Sequence, residues 1–296
     1  MRKDATMKKT MIFILSVILA VSLFSCSAPR KFEVAEMSGY DGNSVVERHN
    51  DINIVFENYK KILKFNKSVT INGQTAVGEY TRTSKTYLYN SEMDHYECKD
   101  GDTPITFDIN ANTGVICKYR YLSRDYLEKR KNTDVLSESE CLEIAKQYFN
   151  NYADADAYTL VKTDYLKIPE YQAVYKFKFS RLVDGIETSD DAYISVTVFG
   201  DVISHLFGTL NEMDELPELS EEDYKTIEAN VDAKVKSIFD PAKDEYDYSY
   251  FVKEKRFVKL SDGAYAMEYS ISADFIPKNP SALAHREGAL LFVYLE

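Results

Sequence analysis

Four histidines, His49, His95, His205 and His285, are the residues most able to move protons, and no two of them stand at i, i+4. No His-Glu-x-x-His occurs, so the spacing supports no zinc hydrolase. Gly-x-Ser-x-Gly, P-loop and dinucleotide fingerprints are also missing. Each histidine reads as a surface or strand residue. Beyond Cys26 the thiols are Cys98, Cys117 and Cys141, an odd number whose spacings match no zinc pattern. Asp108-x-Asn110-x-Asn112 opens like a calcium loop. However, glycine falls at the seventh place (Gly114) and Tyr119 stands where a bidentate Glu is required. Asn and Gly there are what a hairpin turn demands. No catalytic residue, metal ligand or cofactor site emerges, and the chain reads as a non-enzyme. A weaker reading is an enzyme using the thiol of Cys141 or Cys117, with nothing local to support it.

The elements that position these residues begin with an address. Arg2, Lys3, Lys8 and Lys9 precede an apolar run from Met11 to Phe24. At roughly 14 residues, the run is short of the ~20 that a membrane-spanning helix needs. Basic start, apolar middle and small residues are the parts of a secretory signal over residues 1–25. Leu23-Phe24-Ser25-Cys26 resembles the lipobox of bacterial lipoproteins, although Phe24 stands where a small residue is usual. The resemblance implies cleavage before Cys26 and a lipid on its sulfur, which anchors the chain at the extracytoplasmic face of a bacterial cell membrane. The whole chain carries −12; residues 1–25 hold four basic groups against Asp4, so the remainder carries −15. Such a chain is a poor nucleic-acid binder, because phosphate binding needs clustered Lys and Arg. With 23 Tyr and no Trp, the aromatic residues fall mostly in strand-like runs.

Residues 26–50 read as a tether. Residues 51–125 read as a β-rich N-terminal unit. Within it, 51–66 fits both a helix face and a hairpin, with the hairpin slightly favoured, and the strands expected are 69–71, 76–81, 86–90, 95–99, 105–109 and 115–122. This meander puts Cys98 and Cys117 two strand spacings apart, roughly 9–10 Å, too far to bond, so free, part-buried thiols are expected. A second unit, 134–212, opens with a Ser137/Glu140 capping box and a helix face of Cys141, Ile144, Ala145, Tyr148, Phe149 and Tyr152. Strands over 158–165, 171–182, 192–199 and 202–207 follow, with turns at Asp184-Gly185 and Gly200-Asp201. A third unit, 218–296, repeats the plan. Its helix starts at Leu219-Ser220-Glu221-Glu222-Asp223, strands are expected at 246–252, 256–260, 264–275 and 290–295, and a polar loop at 277–288. The fold class is α+β: tandem small units, each an antiparallel sheet packed by one helix, the first mostly β.

The run Tyr175-x-Phe177-x-Phe179-x-Arg181-Leu182-Val183-Asp184-Gly185-Ile186, with a later strand ending in Gly200-Asp201-Val202, resembles a PepSY-type repeat. It is most similar to the tandem repeats of the YcdB/YcdC type, and residues 105–121 look like the closing hairpin of such a unit. The third unit lacks the terminal Gly-x-Val turn. The resemblance implies a module without catalytic residues, one that restrains a peptidase or tunes an enzyme near the cell envelope through a protein partner at the cell surface. The alternative is a solute- or peptide-binding lipoprotein, which needs a pocket between units. Small units offer little room for one.

Overall fold

The structure, a computed structural model, describes residues 30–37, 67–71, 74–85, 92–98, 105–111, 113–121, 126–211, 213, 215–260 and 263–295. The ambiguous stretch 51–66 and the strand expected at 86–90 lie outside the described residues. The fold is α+β and mostly strand. The first group of strands is β1 (Val34–Met37), β2 (Lys67–Ile71), β3 (Gln74–Lys85), β4 (Glu92–Cys98), β5 (Ile105–Asn110) and β6 (Ile116–Tyr121). After the short helix α1 (Tyr126–Lys129) come α2 (Glu138–Phe149), β7 (Thr159–Leu166), β8 (Val174–Val183), β9 (Ile186–Thr197) and β10 (Val202–Phe207). The helix α3 (Glu221–Phe239) then precedes β11 (Tyr246–Lys259), β12 (Tyr265–Pro277) and β13 (His285–Tyr294).

Both long helices begin as their sequences dictate. The Ser137 hydroxyl accepts from the Glu140 amide while the Glu140 carboxylate accepts from the Ser137 amide, and Ser220 and Asp223 do the same for α3. Each cap satisfies amides that the first turn leaves open and contributes about 1 kcal/mol. Cys141, Ala145, Tyr148 and Phe149 of α2 enter a cluster with Phe107, Phe177, Phe179, Ile194 and Phe207. Ile227, Val231, Val235 and Phe239 of α3 enter another with Phe257, Ile271, Phe275 and Leu291. A fully buried side chain such as Phe177 stabilises by about 2–3 kcal/mol. Asp184 and Gly185 both have positive φ, 51° and 76°, closing the two-residue turn between β8 and β9 as its twist requires.

Among the described residues all thirteen strands join in one hydrogen-bonded sheet. The connection departs from separate sheets: β9 pairs with β8 along one edge, while its other edge meets β10 and, over Glu187 and Thr188, runs parallel to β11.

Four boundaries are corrected. Val34–Met37, read as part of a tether, is an edge strand on β13, with Phe32 and Ala35 buried; four residues are too few to show a period. β9 starts at Ile186, not at 192, because its polar first half is buried. β11 is one strand with an irregularity between Val252 and Glu254. The β12–β13 ladder continues to Phe275 and His285, which shortens the expected loop at 277–288.

Candidate functional site

Side chains alternate across a strand, so those between the residues facing α2 emerge on the opposite face of the sheet. There the cross-strand register links Lys162, Lys178, Tyr193, Leu206, Lys118, Asp108, His95 and Arg82 in one row across eight strands. Arg82, Lys118, Lys162 and Leu206 are exposed. Three of its basic side chains are exposed, Lys162 with Asp164 at 2.9 Å and Lys118 with Asp108 at 3.9 Å beside them, while the fourth, Lys178, is buried; the net charge of the chain is −12.

Where the row crosses β9 and β10 the surface sinks into a cleft of about 330 Å³ lined by Lys176, Ser189, Asp191, Tyr193, Leu206, Gly208, Thr209 and Arg256. The parallel bridge carries Arg256 of β11 to its wall. Arg256 Nε donates to Glu268 Oε1 at 3.1 Å, and its Nη1 lies 3.9 Å from Asp191 Oδ2. Burial pushes the Asp191 carboxyl up to about 7; Arg256 and Lys178 oppose the shift, and Glu187 and Asp190 add to it. Lys178 is held by Glu187 and lies 3.9 Å from Glu254. The Lys176 ammonium sits 4.7 Å from the Tyr193 ring centroid, a cation–π contact. On the other face of β9, Asp190 accepts from the Tyr158 hydroxyl at 2.6 Å and the Asn211 amide at 3.2 Å, with Arg181 at 3.7 Å. Burial raises its pKa against these partners.

Further along the row, Ser84 Oγ lies 2.6 Å from His95 Nε2, and His95 Nδ1 lies 2.8 Å from Asp108 Oδ1. Hydroxyl, imidazole and carboxylate thus stand in the order of an acyl-transfer triad. The 330 Å³ cleft is lined by residues 176–256 and lies apart from this line. Paired across β3, β4 and β5, the three side chains form a cross-strand polar ladder that ties the strands together. It was missed in the sequence because its members meet only through strand register.

His205, expected at the surface or in a strand, is a strand residue in the core. Nε2 donates to the Ile116 carbonyl at 2.9 Å, which leaves Nδ1 to accept from the Tyr148 hydroxyl at 2.7 Å. Burial pushes its pKa down to about 4, with only the Ile116 contact opposing. It is neutral and fully bonded, a structural histidine. Cys98, Cys117 and Cys141 are buried thiols outside any disulfide among the described residues, with β5 between the first two. Burial, then Glu140, raises the Cys141 thiol, the reverse of what a nucleophile needs. Cys26 lies outside the described residues. Among the described residues no helix is long and apolar enough to cross a membrane, and no group of three or more His, Cys, Asp or Glu could hold a metal.

The sequence profile of the YcdB, YcdC repeated domain matches residues 57–205, half of the chain. This chain belongs to the YcdB/YcdC repeated-domain family. The family match runs continuously through β2–β9 and most of β10, so the ladder, most of the row and the β8 and β9 side of the cleft fall inside it, while Leu206, Gly208, Thr209 and Arg256 lie outside. Among solved structures, the C-terminal domain of Bacillus megaterium YpeB is similar, with 12% identity and a TM-score of 0.34 over 77% of this chain and 91% of that one. That likeness is too distant to transfer function. Among curated proteins no sequence matches the chain.

Proposed function

We propose that the chain is an extracytoplasmic binding module without catalytic activity, tethered by lipid on Cys26, whose open sheet face receives a protein of the cell envelope. The observation that carries this reading is the row from Lys162 to Arg82, a ridge of basic side chains on the face opposite α2 with the exposed Leu206 among them. A partner segment with acidic side chains around an apolar anchor complements it, since charge sets orientation and encounter while the desolvated anchor supplies affinity. Membership of a repeated-domain family supports a modular role. In this reading residues 51–125, 134–212 and 218–296 are successive units, the latter two built on one helix-and-sheet plan, and the partner is an envelope peptidase held in check. The strongly negative remainder of the chain argues against nucleic acid.

Capture from solubilised cell envelope with the full-length chain as bait tests this. One envelope protein is expected to be enriched, and a bait carrying Lys118→Glu and Lys162→Glu to retain about a tenth as much, because reversing two charges turns attraction into repulsion. Equal capture by both baits removes the row as the contact. A second reading, a solute- or peptide-binding lipoprotein, is favoured by the cleft, whose volume lies at the lower end of the range for ligand sites.

A further inference from the structure

Resting on that second reading, we propose that the cleft binds the ammonium and carboxylate groups of a free α-amino acid, the ammonium on Asp191 and the carboxylate between Lys176 and Arg256. Asp191 is 5% exposed and lines the cleft. Its carboxylate lies 3.9 Å from Arg256 Nη1, beyond hydrogen-bonding distance. A carboxylate this buried gains from a ligand donor that reaches it through the cleft. A ligand ammonium brings such donors and a further positive charge.

The positive pole is equally ready. Lys176 makes no ion pair among the described residues; its ammonium rests over the Tyr193 ring. Arg256 is anchored through Nε and Nη2 to Glu268, so the guanidinium is fixed before any ligand binds. Tyr193, which carries Lys176 over its ring, stands two residues from Asp191 on the same face of β9, and Arg256 Nη1 lies 3.9 Å from Asp191 Oδ2. Both signs of charge therefore line one cleft, as a small molecule whose ammonium and carboxylate share one carbon requires. The side chain of the amino acid then lies towards Leu206, the apolar part of the lining. Gly208 keeps the floor open, since a Cβ there would fall 2.6 Å from Asp191 Oδ1.

Isothermal titration of the full-length chain in mild detergent, with each of the twenty L-α-amino acids as probe, tests the assignment. At least one amino acid is expected to bind. Its N-acetyl and C-amide derivatives, and the variants Asp191→Asn and Lys176→Gln, are each expected to bind about tenfold more weakly, one charge-assisted contact having been lost. Thermal melts of both variants confirm that they are folded. Binding that survives acetylation, amidation and both substitutions overturns the assignment. If no amino acid binds while di- or tripeptides do, the assignment fails and the solute-binding reading stands. If neither class binds, both fail and the protein-docking reading is untouched.

Discussion

Gly208→Ala lowers the stability of the chain by about 3 kcal/mol, at the upper end of what overpacking costs, and its melting temperature by roughly 10 °C. The Cβ would lie 2.0 Å from the Ser189 carbonyl oxygen and 2.6 Å from Asp191 Oδ1. The Asp191 contact belongs to a short side chain, but the Ser189 contact is backbone. That carbonyl accepts from the Thr209 amide at 2.8 Å, and the Gly208 amide itself donates to the Asp191 carbonyl at 2.8 Å. Room for a methyl group therefore comes only by parting β9 from the end of β10, which breaks both bonds and opens the cleft floor. Gly185→Ala is the matched control. Its φ of 76° makes alanine strained, but nothing lies within 4 Å of the added carbon, so its cost is about 1–2 kcal/mol. Calorimetry of the two variants gives the order; equal losses, or a Gly208→Ala chain melting with the wild type, contradict the close apposition of these strands.

Acid unfolding gives the second large effect, and its sign follows from His205. In the unfolded chain the imidazole titrates near 6.5, and in the fold burial holds it down to about 4. Between those values the unfolded state binds more protons, so stability is lost as pH falls through the window and is fully present above it. A shift of about 2.5 units corresponds to about 3 kcal/mol. Asp190, Asp191 and Glu268 are raised by burial, so over part of the same range they act in the opposite sense. A comparison with His205→Gln cancels them, since both proteins carry all three. Wild type is expected to be the more stable at pH 7, because the imidazole bonds both the Tyr148 hydroxyl and the Ile116 carbonyl. Urea titrations at pH 7 and pH 4 should show that advantage shrinking by about 3 kcal/mol. An advantage that stays constant rules out a neutral, buried imidazole.

What was legible in the sequence is what local rules govern. Ser137 with Glu140 and Ser220 with Asp223 announce helix starts because a cap is made within four residues, and Asp184-Gly185 announces its turn because the backbone there needs positive φ. Alternation of Tyr175, Phe177 and Phe179 gives β8 its core face. The polar first half of β9 was illegible for the opposite reason. Ser189, Asp190 and Asp191 look like loop residues until Arg256, more than sixty positions on, and Tyr158, about thirty positions back, supply the charge and the hydroxyl that let carboxylates be buried. The cleft, the Ser84–His95–Asp108 ladder and the basic row likewise exist only once register is set, and register is a long-range property. His205 was within reach, since it stands two residues before Phe207 in a strand and so shares its core face, although the irregularity between Val202 and Ser204 breaks the alternation before it.

The most direct measurement is photo-cross-linking in intact cells that make the chain, with a benzophenone amino acid in place of Leu206 at the centre of the row and, as a control, in place of Leu283, which is 86% exposed away from it. A discrete cross-linked product with one envelope protein from position 206 and none from 283 is the predicted result. Cross-linking from 283 alone, or an identical pattern from both positions, would contradict the assignment of the open sheet face as the surface that receives the partner.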